Sequence, residues 1–143
     1  MRIKVSNNFY LDEFINPETY QKFEASSQRY IRPEVIKIAQ FLREYLETPI
    51  TINNWFDGGQ YKESGLRDFN TSTGAKYSAH KFGAAIDVKT SLKPSELVKK
   101  IIDNEEMFML TGLTRIEDTK FTSSWVHLDC LYTGLNKIQI IKP

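Results

Sequence analysis

Residues 113–131, LTRIEDTKFTSSWVHLDCL, hold two β-like runs, 113–117 and 125–131, on either side of the polar stretch DTKFTSS. The second run alternates apolar and polar residues at period two, the mark of a half-buried strand, and in the first Ile116 is flanked by the charged Arg115 and Glu117. Folding them symmetrically about Thr122 pairs residues whose numbers sum to 244, which sets Glu117 opposite His127. In that register Ile116, Val126, Leu128 and Cys130 share an apolar face, while Arg115, Glu117, Trp125, His127 and Asp129 share the other. The stretch predicts an antiparallel hairpin with one face for a core and one for chemistry.

The flanking sequence supplies the helices. Asn16-Pro17-Glu18 reads as an N-cap followed by a proline in the first turn, opening a helix that runs to about Ser27. Pro33 opens a second, in which Val35, Ile38, Ala39, Leu42, Tyr45 and Leu46 recur at helical spacing and form one apolar stripe. A third begins near Pro94, with Leu97, Val98, Ile101 and Ile102 facing inward. Further short β-rich pieces lie at 50–53, 84–88 and 137–141. Helices gathered before and between such strands predict an α+β fold: a small, mostly antiparallel sheet with helices packed on one side. Residues 54–77 are long, polar and turn-rich, as functional loops often are.

At 143 residues, with 41% hydrophobic and 26% charged side chains, the chain fits one globular domain spanning 1–143. Nineteen basic against eighteen acidic residues leave a net charge of +1, too little to draw the chain to nucleic acid or an anionic membrane. The single Cys130 excludes an internal disulfide and reads as a buried thiol. The N-terminus lacks an apolar signal-peptide core, and no stretch approaches a membrane span. The expectation is a monomer made in the cytoplasm.

The chain has only two histidines, His80 and His127. In SAHKFGAAIDV, His80 precedes a Lys-Phe-Gly turn, and Asp87 ends a run of small and apolar residues seven positions later. Two imidazoles and one carboxylate match the three protein ligands of a catalytic zinc site, whose fourth position holds water. Taken alone, His-x6-Asp more often marks a structural histidine and a capping or ion-paired aspartate. The hairpin strengthens the metal reading. Directly opposed side chains lie about 4.5–5.5 Å apart at Cβ, so Glu117 opposite His127 can reach a metal-bound water as general base; the bland alternative is a solvated charge paired with Arg115 or Lys120. Asp129 competes for that role or orients an imidazole. Trp125 shares the face and can wall a cleft.

Four segments resemble the zinc D-Ala-D-Ala carboxypeptidases and L-alanyl-D-glutamate endopeptidases of bacteria and phages, a family structurally akin to the Hedgehog signalling domain. NFYLDEF is similar to the family's NFxLxEF element, and ITINNWFDGG with SGLR to its substrate-loop region. SAHKFGAAIDV is similar to its SxHxxGxAxD signature, and SSWVHLD to its WVH motif. The resemblance implies a Hedgehog-like fold and Zn2+ held by His80, Asp87 and His127. It also implies that Arg67 recognises a substrate carboxylate and that Ser78 contacts substrate or braces the first ligand. Many relatives carry a catalytic glutamate three residues before the last ligand, where this chain has Ser124; others place one at the end of the preceding strand, which corresponds to Glu117.

The resulting expectation is a zinc metallopeptidase that hydrolyses amide bonds of peptidoglycan stem peptides, either as a carboxypeptidase or as an endolysin-type endopeptidase. Its partner would be peptidoglycan peptide rather than nucleic acid. Without a signal peptide it would reach the cell wall after release, as a phage or prophage product would. The alternative, motivated by Ser124, is a catalytically degenerate zinc-binding structural or cell-wall-binding module.

Overall fold

The computed structural model describes all 143 residues. Four α-helices, α1 (Pro17–Phe23), α2 (Pro33–Leu46), α3 (Pro94–Asp103) and α4 (Glu105–Leu110), accompany four strands: β1 (Ala85–Val88), β2 (Arg115–Glu117), β3 (Val126–Asp129) and β4 (Gln139–Ile141). The strands form one sheet in the order β1-β3-β2-β4. β3 is antiparallel to both its neighbours, and β4 runs parallel to β2. The architecture is α+β, as the pattern of elements predicts. No helix is long and apolar enough to cross a membrane.

The hairpin has the register read from its sequence: Arg115 faces Asp129 and Ile116 faces Leu128. On the other flank of β3, Asp87 faces His127 and Ile86 faces Leu128. Alternation sorts the side chains. Ile86, Val88, Ile116, Val126 and Leu128 enter one cluster of 22 buried hydrophobic residues, closed by Val35, Ile38 and Leu42 of α2, Leu97 and Ile101 of α3, and Phe108 of α4. Asp87, Arg115, Glu117, His127 and Asp129 therefore emerge on the opposite face.

Three elements differ from their sequence reading. α1 stops at Phe23 rather than near Ser27: Glu24 turns to φ 48°, and a 3-10 turn continues over Glu24–Tyr30. The Ser27 hydroxyl donates to the Glu24 carbonyl, one of the local bonds by which serine competes with helix continuation. Residues 50–53 make a single antiparallel bridge, Thr51 to Lys89, rather than a strand. Asn53 explains this, because its side chain and backbone bond instead to Ile15, Ser64 and Glu13 in the loops. Helix α4 has no counterpart in the sequence reading; it is short and anchored by the buried Phe108.

Candidate metal centre

His80 lies in a 3-10 turn, Ala79–Phe82, which Ser78 caps by accepting a hydrogen bond from the His80 backbone N–H. Gly83 closes that turn at φ 66°, and a Cβ there would fall 2.0 Å from the Tyr30 carbonyl oxygen, so the position requires glycine. The turn delivers His80 beside the polar face of the sheet, next to Asp87 on β1 and His127 on β3. All three are buried.

One atom from each meets at a point. His80 Nε2 lies 3.1 Å from Asp87 Oδ1 and 3.2 Å from His127 Nδ1, and His127 Nδ1 lies 3.2 Å from Asp87 Oδ1. Metal bonds of about 2.0–2.2 Å separate neighbouring ligand atoms by roughly 3 to 3.5 Å, so the triangle has the size of a coordination face. The far side of each ring decides what this triangle presents. His80 Nδ1 is 2.9 Å from the Gly65 carbonyl, which only accepts, so Nδ1 carries the hydrogen and Nε2 offers a lone pair. His127 Nε2 is 2.8 Å from the Asp129 carboxylate, which likewise leaves the lone pair on Nδ1. With both rings neutral, two lone pairs and a carboxylate oxygen converge with no donor among them. A buried His80, Asp87 and His127 group of this kind could bind a metal ion.

The surrounding charges hold the group in place. Asp129, fully buried, accepts both prongs of the Arg115 guanidinium at 2.8 and 2.9 Å, the His127 ring and the Leu131 N–H. Burial works against its charge, but His127 and Arg115 outweigh that and keep its carboxyl below the ordinary range. Asp87 behaves alike: burial opposes its charge, and the imidazoles of His80 and His127 more than offset this. Burial also opposes a charged His127, yet hydrogen bonds to Asp129 and Asp87, with Glu117 adding its field, lift the ring to about 9 in the metal-free pocket. The pocket collects positive charge, whether a proton or a metal ion.

The other sequence-predicted residues divide into groups. Glu117 reaches the triangle, with Oε1 3.7 Å from His127 Nδ1, and stays partly exposed. Asp129 sits behind His127 with both oxygens occupied, so it orients the ring and is out of position for a base. Arg67 differs from the free clamp the family pattern implies: Nη2 donates to Asp87 Oδ2 at 3.1 Å and Nε to the Glu63 carbonyl at 2.7 Å. Only Nη1 lacks a protein acceptor. Trp125 and Ser124 line a cavity of about 350 Å³ on the Asp87 side, with Tyr61, Ser64 and Lys89. His80, His127, Glu117, Ser78 and Tyr77 line a second, of about 210 Å³; Arg67 borders both.

Two contributors escaped the sequence reading. Lys89, one residue past β1, lines the same cavity as Asp87 and donates to Ile52 O, Ser64 Oγ and Asp87 O, while its ammonium lies 4.1 Å from the Tyr61 ring centre. Burial lowers its pKa to about 8 against the pull of Asp87. Period-two spacing from Asp87 was the signal that could have found it. Gly65 supplies the carbonyl that orients His80, and no side-chain pattern marks a backbone acceptor.

Compared with protein-family models, with curated proteins and with solved structures, the chain finds no match.

Proposed function

We propose that the protein is a zinc-dependent peptidase that hydrolyses amide bonds in peptidoglycan stem peptides. The observation that carries this reading is the convergence of two imidazole nitrogens and a carboxylate oxygen, with a second carboxylate, Glu117, 3.7 Å from His127 Nδ1 at the edge of a cavity. The motif resemblance supplies the substrate class and selects zinc among the ions that suit such a donor set.

His80, Asp87 and His127 would hold the ion, with their geometry preset by Gly65, Arg67 and Asp129. A zinc ion bound there supplies Lewis-acid polarisation of the scissile carbonyl and an acidified water. Glu117, partly exposed and adjoining the ligand triangle, takes the proton of the attacking water and passes it to the leaving amine. Its neighbour His127 is already committed to Asp129, so the Glu117 carboxylate is the one nearby base with a free oxygen. Trp125 and Tyr61 wall the larger cavity, where an extended peptide can lie. Arg67 Nη1, the one donor nitrogen of that side chain without a protein partner, is available to a substrate carboxylate.

The test is to load the purified protein with zinc, incubate it with peptidoglycan fragments, and follow new amine groups and product masses. Release of single D-alanine residues would identify a carboxypeptidase, and internal cuts an endopeptidase. Full zinc occupancy without cleavage would favour the second reading, a degenerate binding module, which the serine at position 124 motivates. Two histidines with one carboxylate also serve ferrous iron in oxygenases, so elemental analysis that finds iron and no zinc would refute the assignment.

A further inference from the structure

We infer that Arg115 is a positioning residue of the metal centre, which sets the orientation of His127 through Asp129. The inference rests on the metal-binding half of the reading above and is independent of catalysis.

Asp129 is the only side-chain partner of His127 Nε2, at 2.8 Å, and no part of Asp129 reaches solvent. A carboxylate in that setting needs its plane and its charge supplied by protein. Arg115 does both. Its Nε meets Oδ1 at 2.8 Å and its Nη2 meets Oδ2 at 2.9 Å, a two-pronged contact that fixes the carboxylate plane and aims Oδ2 at the imidazole. The Leu131 N–H, 3.2 Å from Oδ1, is the one further donor.

The backbone builds this chain of contacts. Arg115 and Asp129 are cross-strand partners on β2 and β3, and His127 stands two residues before Asp129 on the same face. Three side chains thus run in line across the sheet surface, guanidinium to carboxylate to imidazole, and end on the lone pair that enters the ligand triangle. Glu117, the other carboxylate on this face of β2, leaves the guanidinium prongs to Asp129 and faces His127 instead. A lysine at 115 would keep the charge but lose the fork, because an ammonium cannot hold both oxygens in one plane.

The experiment measures zinc affinity by competition with a chromophoric chelator for the native chain, Arg115→Lys and Arg115→Met, with folding checked by circular dichroism. Two-bond proton–nitrogen spectra of the imidazoles in the zinc-loaded proteins report which His127 nitrogen keeps its hydrogen. The expected result is a folded Arg115→Lys protein with roughly 10- to 100-fold weaker zinc binding, the range for loss of a group that orients a ligand, and mixed His127 tautomers. Arg115→Met is expected to lose at least as much. Native-like affinity and a single Nε2–H tautomer in either folded variant would overturn the inference, as would loss of the fold in both, which would make Arg115 a structural pin. A native chain that binds zinc but cleaves nothing refutes the peptidase reading and leaves this one standing. A native chain that binds no divalent metal overturns both.

Discussion

His127 gives its Nε2 hydrogen to Asp129 across 2.8 Å and in doing so turns Nδ1 toward His80 and Asp87. That single contact leaves a buried histidine beside carboxylates able to serve as a metal ligand. Its consequences are measurable.

Metal binding is expected to release protons and to weaken in acid. His127 is raised to about 9 in the metal-free pocket, so at pH 7.5 the ring is protonated and an incoming ion displaces about one proton. Below that value each unit fall in pH should weaken affinity about tenfold through this group. Calorimetric titration with zinc in two buffers of different ionisation enthalpy reads the proton count. His80→Ala and His127→Ala should each lower affinity roughly a hundredfold or more, since loss of a ligand exceeds loss of its supporting partner.

Glu117→Gln is expected to leave zinc affinity within a few-fold of native and to cut turnover of peptidoglycan fragments by about 10²- to 10⁴-fold, the scale of a removed general base. Steady-state rates at full metal occupancy measure this. A variant that keeps both metal and turnover assigns proton transfer elsewhere.

Cys130 is expected to be inert. Burial pushes its thiol up to about 11, so at pH 8 the folded protein holds little thiolate. Iodoacetamide should modify the native chain at least about 100-fold more slowly than the urea-unfolded chain. Because the folded value lies above the unfolded one, this group favours the fold at neutral pH, and its contribution fades as pH climbs from about 9 through about 11. Mass spectrometry of timed aliquots decides the rate.

Gly65→Ala is expected to damage fold and site together. A Cβ at this position would lie 2.3 Å from the Phe14 carbonyl oxygen, where backbone must move to admit it. The cost is on the order of 1–3 kcal/mol, read as a fall in thermal midpoint. Since the Gly65 carbonyl holds His80 Nδ1, zinc affinity should fall as well.

Most of the sheet was legible because one face of every strand is apolar. In 113–131 a slip of one residue would bury Glu117 and His127 in the core and expose Ile116, Val126 and Leu128, so the order of apolar and polar residues singles out the observed register. The starts of α2 and α3 were equally plain, since a proline at the first turn costs no hydrogen bond. The 50–53 segment misled for the converse reason: its β-formers are buried, but its polar partners come from loops distant in sequence. Helix α4 is held by the burial of Phe108 more than by any periodic stripe.

The residue types and the alternation of this chain by themselves determined which side chains share the polar face of the hairpin: Arg115, Glu117, His127 and Asp129. Alternation is a local property of extended backbone and needs no knowledge of the rest of the molecule. The tertiary structure alone decided how those groups pair. Arg67 bonds Asp87 through Nη2 and keeps Nη1 without a protein acceptor, and Arg115 grips Asp129 rather than Glu117. A long guanidinium takes whichever buried acceptor the folded loops and neighbouring strands bring within reach, and that distance is absent from the order of residues along the chain.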